Sequence, residues 1–277
     1  MQLISREITL SHLYRDFSAI RRLPCLPDSV SSIAKGTSIG LEFSSPNIAK
    51  PFHIGHLRST FLGRFLSNLL RECGYKVTRI NYLGDYGNQF GLLASQHSGN
   101  NSSTITIHDL YENYVRGHQQ ISHDPSLDLK VRQFGRLLES GNQAALETWK
   151  KLREIGLHYL QHMYRELDVD FDVWQAESDF ASSSRKFIDE NLAKNIFSCT
   201  PDNLVGLKVI EEHNNQNSQL KEKVSRIIPL SKSDGTSLYL TRDIIAAIYR
   251  VDEMKLDKIF YVVDDAQTPH FENLKQL

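Results

Sequence analysis

Two histidines flank a glycine in a short segment that also carries a lysine. These residues are Lys50, His53, Gly55 and His56. Imidazole and ammonium groups can donate hydrogen bonds to phosphate, and a glycine lets a flat ring or a phosphate approach the backbone closely. The spacing therefore indicates a nucleotide site formed by all four residues. Lys50, His53 and His56 are the candidates for stabilising charge on a transferring phosphate.

The residues around this segment predict a β-loop-α-β unit. Residues 39–43 have the pattern of a short buried strand, and Pro46 and Pro51 exclude a regular element before His53. A helix should begin near His53 and end at Gly74, and residues 76–83 should form the next, parallel strand. The predicted apolar face of the helix consists of Leu57, Phe61, Leu62, Phe65, Leu66, Leu69 and Leu70.

The start of this helix is the predicted position of the nucleotide phosphates. A helix N-terminus presents unsatisfied N–H groups and about half a positive charge. The dipole contributes only about 0.3–1 kcal/mol to anion binding, so the side chains must supply most of the stabilisation. A single histidine at a helix start more often caps the helix or is solvated, and Lys50 could be a surface lysine. The agreement of strand, loop and helix favours the functional interpretation.

The tetrapeptide His-Ile-Gly-His at residues 53–56 resembles the HIGH signature of class I aminoacyl-tRNA synthetases. An H-x-G-H pattern alone is shared with other nucleotidyl transferases. The flanking residues 42–51 and 57–60, together with residues 81–91, resemble arginyl-tRNA synthetases in particular. A joint match across roughly fifty residues is far more specific than the tetrapeptide.

Two later segments, residues 238–243 and 261–267, also resemble arginyl-tRNA synthetases. Both lie where a strand ends or a helix begins, which is the edge of an open α/β sheet that binds ligands. The resemblance therefore implies that the second half of the site comes from these segments.

The resemblance also implies a role for five residues in binding L-arginine. Glu42, Tyr239 and Asp243 would hold the guanidinium group, and Asn47 and Gln267 would hold the α-amino and carboxylate end. A guanidinium group has five N–H donors in a plane and no acceptor, so carboxylates and a phenolic oxygen suit it. From the residues alone, the alternative is that Asp243 caps a helix and Tyr239 fills the core.

The resemblance implies the reaction of an arginine–tRNA ligase. Arginine would be activated by ATP to arginyl-adenylate and then transferred to tRNA(Arg), with Mg²⁺ carried by ATP. In this family, members with a degenerate downstream lysine motif carry a lysine just before the HIGH motif, which favours a function for Lys50. The family's KMSKS loop and helical anticodon-binding domain would lie beyond Leu277. Two alternatives remain: a non-catalytic remnant that binds arginine, and another H-x-G-H nucleotidyl transferase.

The predicted fold class is α/β, with a Rossmann-like parallel sheet that has helices on both faces and is split by a mainly helical insertion. Residues 1–36 should form an N-terminal helix and linker, and residues 37–96 the first half of the catalytic domain. Residues 97–224 should form the mostly helical insertion, with a short strand at 205–210, and a further strand is predicted at 225–230. Residues 225–277 should form a truncated second half, with a turn at 234–235, a helix at 242–252 and a buried strand at 258–263. Within the insertion, helices are predicted at 108–120 and 145–167.

The composition is that of a soluble globular protein, with 40% hydrophobic and 23% charged residues among 277. The net charge of −1 gives no general attraction to nucleic acid. The three cysteines match no zinc spacing, and His158 and His162 lack a third ligand, so no protein-held metal is predicted. No apolar run is long enough for a membrane span.

The chain is expected to be a monomer. Residues 81–85 resemble mitochondrial and fungal members of the family more than animal cytosolic ones, which predicts the mitochondrial matrix, with the cytoplasm as the alternative.

Overall fold

The structure is a computed structural model that describes residues 34, 36–96, 105–214 and 221–277. The segment in which the N-terminal helix was predicted lies outside these residues, apart from residues 34 and 36. In chain order the elements are β1 (Ser38–Phe43), α1 (Ile54–Glu72), β2 (Lys76–Leu83), α2 (Asn88–Gln96), α3 (Ile107–Ile121), α4 (Pro125–Glu139), α5 (Gln143–Glu166), β3 (Val173–Ala176), α6 (Glu177–Ala193), β4 (Ser198–Cys199), β5 (Val205–Asn214), β6 (Lys221–Pro229), α7 (Tyr239–Asp252), β7 (Lys258–Val262), a 3₁₀ turn (Asp265–Gln267) and α8 (Thr268–Gln276).

Four parallel strands form the main sheet, in the order β3-β2-β1-β7. The chain runs from β1 through α1 to β2 on one side, whereas β7 lies on the other side of β1. The strand order therefore reverses between β1 and β7, and ligands of open α/β sheets bind at such a switch point. The predicted Rossmann-like fold is confirmed, and β2 has the predicted bounds.

Helix α1 begins one residue after His53, as predicted, but its buried face differs from the predicted one. The buried residues are Thr60, Gly63 and Ser67, whereas 46% of Leu62 and 36% of Phe65 are exposed. A Cβ atom at Gly63 would overlap the Phe43 side chain, so only a small residue allows α1 to lie this close to β1. The helical spacing was therefore predicted correctly and the packing face was wrong.

The helical insertion shares one hydrophobic core with the sheet. This core joins strand residues to residues of α2, α3 and α5, and its members include Leu41, Phe43, Leu83, Phe90, Leu110, Leu152, Leu160 and Tyr164. A second cluster packs the β4-β5-β6 sheet against α6 and α7. The site at the edge of the sheet is therefore held from both sides by packed elements.

Four elements depart from their predicted limits or from their predicted burial. Strands β5 and β6 pair antiparallel and extend into the polar residues predicted as a connection, because backbone pairing does not depend on apolar side chains. Helix α7 begins at Tyr239, three residues before the predicted start. Strand β7 was predicted to be buried, but it is an edge strand of the described sheet and 43% of Phe260 is exposed.

None of the helices in the described part of the chain combines the length and the apolar character needed to span a bilayer.

Candidate active site

The two histidines of the predicted nucleotide site form a capping box at the start of α1. The backbone N–H of Gly55 donates to His53 Nδ1 over 3.1 Å, and the backbone N–H of His53 donates to His56 Nδ1 over 3.3 Å. The two rings stack with their centroids 3.8 Å apart. Because each Nδ1 accepts a hydrogen bond, each neutral ring carries its proton on Nε2. Both Nε2–H groups can therefore donate to a ligand.

Electrostatics keeps the second histidine neutral. Burial, followed by the nearby His53 and Lys50, lowers the pKa of His56 to about 4. His56 therefore donates hydrogen bonds at neutral pH without carrying a charge. The Lys50 ammonium group lies 5.1 Å from the ring centroid of Tyr114 on α3, so a residue of the insertion contacts this lysine.

A hydrogen-bonded chain ties the start of α1 to the end of β1. Thr60, which is fully buried, donates from Oγ1 to the His56 carbonyl over 2.6 Å. The same hydroxyl group lies 2.7 Å from Ser44 Oγ, which is 2.6 Å from the Tyr164 hydroxyl group. Ser44 and Ser45 have φ angles of +69° and +41°, which L-residues adopt at a cost of about 1–3 kcal/mol each. This tight turn directs the chain from β1 toward the histidines.

Helix α7 presents Tyr239 and Asp243 together with a histidine from α8. The Nε2 atom of His270 lies 2.7 Å from Asp243 Oδ2, and the Tyr239 and His270 ring centroids are 4.9 Å apart. Asp243 is inside the helix, whose N-cap is Leu238, and 54% of Tyr239 is exposed. Neither alternative interpretation applies, since Asp243 does not cap α7 and Tyr239 does not fill the core.

Glu42 is buried at the switch point and already contacts a guanidinium group of the protein. Its Oε2 atom accepts a hydrogen bond from Arg250 Nη1 over 2.5 Å, and its Oε1 atom accepts one from Ser45 Oγ over 3.2 Å. Burial raises the pKa of Glu42, Arg250 opposes the rise, and Asp243 adds to it. The negative charge of Asp243 therefore acts on the Glu42 carboxylate.

The two residues predicted to hold the amino-acid end follow the strands β1 and β7. Asn47 pairs with Gly84 beyond the end of β2, and its Oδ1 atom accepts the backbone N–H of Ala49 over 2.9 Å. Gln267 ends the 3₁₀ turn after β7. A cavity of about 290 Å³ is lined by Asn47 and Tyr239 together with residues of α4, but not by His53 or His56. The cavity therefore lies on the insertion side of the site.

A buried ion pair that the sequence did not indicate lines this cavity. Arg242 donates to Glu177 Oε2 over 3.0 Å, and both residues lie in the cavity wall. Burial raises the pKa of Glu177 to about 7, with Arg242 opposing the rise and Asp243 adding to it.

Arg250 and His270 were also missed by the sequence analysis. Arg250 follows Asp243 by seven residues, which places both on one face of a helix, and this spacing was the signal available. No comparable pattern marks His270, because α8 reaches Asp243 only through the tertiary fold.

The described residues contain no group of three or more histidine, cysteine, aspartate or glutamate side chains arranged to hold a metal ion. The described side chains of the candidate site are the two histidines at the start of α1 and the carboxylates of Glu42 and Asp243.

Comparison with known proteins identifies the family of this chain. The family model described as tRNA synthetases class I (R), catalytic domain, matches residues 29–276. The chain belongs to the class I arginyl-tRNA synthetase catalytic-domain family. It is 37% identical over 243 residues to a protein named probable arginine–tRNA ligase, mitochondrial, from Bos taurus, covering 86% of this chain and 40% of that protein. It is 38% identical over 261 residues to the cytoplasmic arginine–tRNA ligase of Saccharomyces cerevisiae, covering 88% and 41%.

The fold of this arginyl-tRNA synthetase domain also agrees with a solved relative. The arginyl-tRNA synthetase of Plasmodium falciparum superposes with a TM-score of 0.67 at 23% identity, over 88% of this chain and 40% of that chain. The chain thus spans about 40% of the length of the curated relatives it matches. Mitochondrial and cytoplasmic members of the family match it equally well.

Proposed function

We propose that this chain is the catalytic domain of an arginine–tRNA ligase. The observation that carries the proposal is that Glu42, near the end of β1, interacts with Asp243, while the loop after β1 leads to the two histidines at the start of α1. We infer from this placement that a phosphate-binding helix start lies beside carboxylates that bind a planar cation. In the first step, the arginine carboxylate attacks the α-phosphate of ATP, and pyrophosphate leaves. In the second step, a hydroxyl group at the 3′ end of tRNA(Arg) attacks the activated carbonyl carbon, and AMP leaves.

Residues at the start of α1 would bind the phosphate groups of ATP. The Nε2–H groups of His53 and His56 donate to oxygens of the transferring phosphate, and Lys50 supplies a full positive charge. Space outside Gly55 is open, since a Cβ atom there would meet only the His53 ring. Catalysis then rests on positioning and charge stabilisation without a protein nucleophile. Mg²⁺ is carried by the ATP phosphates.

The carboxylates and their neighbours would bind the arginine substrate. We assign the substrate guanidinium to Asp243, Glu42 and Tyr239, and the α-amino and carboxylate groups to Asn47 and Gln267. The exposed Tyr239 and the interacting carboxylates support this assignment. Charge-assisted hydrogen bonds contribute about 1.5–3 kcal/mol each. The ammonium group of lysine cannot make the planar, forked hydrogen bonds of a guanidinium group, and citrulline carries no charge, so both should bind poorly.

Calorimetric titration of the chain with L-arginine, L-lysine and L-citrulline tests the pocket. Arginine should bind, and Asp243→Asn should weaken binding by about tenfold or more, equivalent to about 1.4 kcal/mol, because a charged hydrogen bond is lost. Asp189→Asn, on the exposed surface of α6, is the matched control and should bind like the wild type. Equal affinity for arginine and citrulline would refute a charge-selective pocket.

ATP–pyrophosphate exchange with arginine and tRNA(Arg) tests catalysis. Exchange should depend on His53, so His53→Ala should lower its rate while arginine binding persists. Arginine binding without exchange above the His53→Ala background would instead indicate a non-catalytic arginine-binding protein. Selective binding of a different acid would indicate another nucleotidyl transferase.

We further propose the mitochondrial matrix as the compartment and a monomer as the oligomeric state. Resemblance of residues 81–85 to mitochondrial members supports the compartment. Imaging of the tagged full-length product tests it, and a cytoplasmic signal would contradict it. Light scattering of the purified chain should give a mass near 31.7 kDa, and a value twice as large would contradict the monomer.

A further inference from the structure

An arginine side chain of the protein sits inside the region assigned to substrate arginine. Only 1% of Arg250 is exposed, and its guanidinium group bonds Glu42 through Nη1 and Gln175 Oε1 through Nε, over 2.5 and 2.9 Å. The rings of Tyr82 and Tyr261 flank it, with centroids 5.1 and 5.7 Å from Cζ. The group is therefore fixed on two strands and between two aromatic rings.

Charge balance explains why such a group is needed. Glu42 and Asp243 are two carboxylates, and a substrate guanidinium brings one positive charge. Two carboxylates that share a site cannot both ionise without compensation, so one of them would take up a proton. Arg250 contributes the second positive charge. With His270, the neighbour of Asp243, in its neutral form, the pocket has no net charge once a single substrate guanidinium has entered.

One oxygen of the Glu42 carboxylate keeps hydrogen-bonding capacity. Arg250 bonds Oε2, whereas Oε1 accepts only the longer 3.2 Å hydrogen bond from Ser45 among the described contacts. A carboxylate oxygen can accept more than one hydrogen bond, so Oε1 has capacity for a further donor. On the Arg250 side, Nη2 and the Tyr82 hydroxyl group have no hydrogen-bond partner within the described part of the chain.

We propose that Arg250 is a positioning residue of the amino-acid site, whose guanidinium keeps the Glu42 carboxylate ionised and oriented so that Oε1 can bind the substrate guanidinium. The inference rests on the proposed function, because it gives Glu42 a substrate to bind. Arg250 itself stays behind Glu42 and acts through it.

The groups that face Glu42 come from three elements and from the loop after β1. Asp243 and Arg250 lie on α7, Tyr82 on β2 and Tyr261 on β7. Ser45 of the loop donates a hydrogen bond to Glu42, and Gln175 of β3 bonds Arg250. Beyond them, Glu177 lies near Tyr82, and His270 contacts Asp243. Arg250 is the cation whose interaction opposes the raised pKa of Glu42. Its removal should raise that pKa further.

The first test follows the ionisation of Glu42 by ¹³C NMR of the carboxyl group, with Glu42→Gln used for assignment. In Arg250→Met the titration midpoint should move up by at least about one unit, because the charge that stabilises the anion is gone. Arg250→Lys keeps a positive charge and should stay near the wild-type midpoint. Arg242→Met removes another buried arginine from α7, one that pairs with Glu177, and should leave the Glu42 midpoint unchanged.

The second test measures arginine affinity against pH. The titration of arginine itself affects both measurements equally, so it cancels in the ratio of the variant Kd to the wild-type Kd. If the Glu42 midpoint lies one unit above the working pH, only a tenth of the molecules carry the carboxylate, so the ratio should be about ten. The ratio should fall toward one as the pH rises past the new midpoint. A ratio that stays constant with pH would mean that Arg250 has a merely structural role.

The outcomes separate this inference from the proposed function. If the wild-type chain does not bind arginine, the proposed function fails, whatever Glu42 does. If arginine binds but Arg250→Met titrates Glu42 like the wild type, this inference alone is overturned. If Arg250→Met does not fold, Arg250→Lys provides the test. A ratio of its Kd for arginine to the wild-type Kd that is small and independent of pH supports the role of the charge. A loss of arginine affinity as large as that of Glu42→Gln refutes it.

Discussion

Gly156 allows the long insertion helix to press against the loop that carries Asn47 and Lys50. The glycine lies within α5, and a Cβ atom there would overlap the Ile48 carbonyl oxygen and approach the Ile48 carbonyl carbon to 3.0 Å. The atoms in the way belong to the backbone, so a rotamer change cannot relieve the overlap. Ile48 and Ala49 are each 1% exposed, and the Ile48 N–H bonds the Gly84 carbonyl over 3.2 Å, so the loop cannot move away freely.

Gly156→Ala should therefore destabilise the fold although alanine is the better helix former. Overpacking costs about 1–3 kcal/mol, and a rigid backbone neighbour favours the upper end of that range. The gain in helix propensity is about 1 kcal/mol, which leaves a net loss of about 2 kcal/mol. For a chain of this size the melting temperature should fall by roughly 4–8 °C.

Gly135→Ala is the matched control, because Gly135 also lies inside a helix of the insertion. A Cβ atom there meets nothing closer than Asn88 Oδ1 at 3.8 Å, an ordinary contact. This variant should gain about 0.5–1 kcal/mol from helix propensity alone. Thermal unfolding followed by circular dichroism compares the two variants with the wild type. If Gly156→Ala melts at or above the temperature of Gly135→Ala, the inferred close contact between α5 and the Lys50 loop is wrong.

Three further predictions concern buried polar groups. Asp85→Ala should lower the free energy of unfolding in urea by about 3 kcal/mol, because it removes the partner of Arg153 and of both Ser178 donors. The loss stays near that value because Arg153 is partly solvated. A loss below about 1 kcal/mol would contradict this. The pKa of Glu177 is raised to about 7, so its contribution to stability should fall as pH rises from about 4.5 to 7 and be absent in Glu177→Gln. With its pKa lowered to about 4, His56 should remain neutral and protonated at Nε2 at pH 6 in ¹⁵N NMR, and stability should decline as pH falls from 6.5 toward 4; a charged ring at pH 6 would refute it.

Local patterns predicted the elements around the nucleotide site well. Prolines and a glycine bounded α1, and alternation and apolar runs located β1, β2 and β7 to within one residue at most ends. The helix start at His53 follows from steric rules that act over a few residues. Such rules can be applied to a single sequence, because the atoms they concern are neighbours along the chain.

The face that an element buries depends on what packs against it. The leucines and phenylalanines of α1 satisfied the helical period, yet the stripe Thr60-Gly63-Ser67 faces the sheet. Close packing on Phe43 selects small residues, and this selection depends on the distance between α1 and β1. A hydrophobic pattern contains no information about that distance. The same reason accounts for the exposed Phe260 in a strand that looked buried.

The charge pairs of the site also depend on the tertiary fold, and their partners lie far apart in the sequence. Glu42 and Arg250 are 208 residues apart in sequence, and Glu177 and Arg242 are separated by 65, so no local pattern could pair them. The resemblance to the family supplied the residues proposed to bind substrate, but those residues account for only part of the charge at the edge of the sheet. A pocket built from carboxylates must also contain the cations that keep them ionised before the substrate arrives. Counting the charges of a binding pocket, and asking which group balances each one, therefore directs attention to residues such as Arg250 that a substrate-centred comparison passes over.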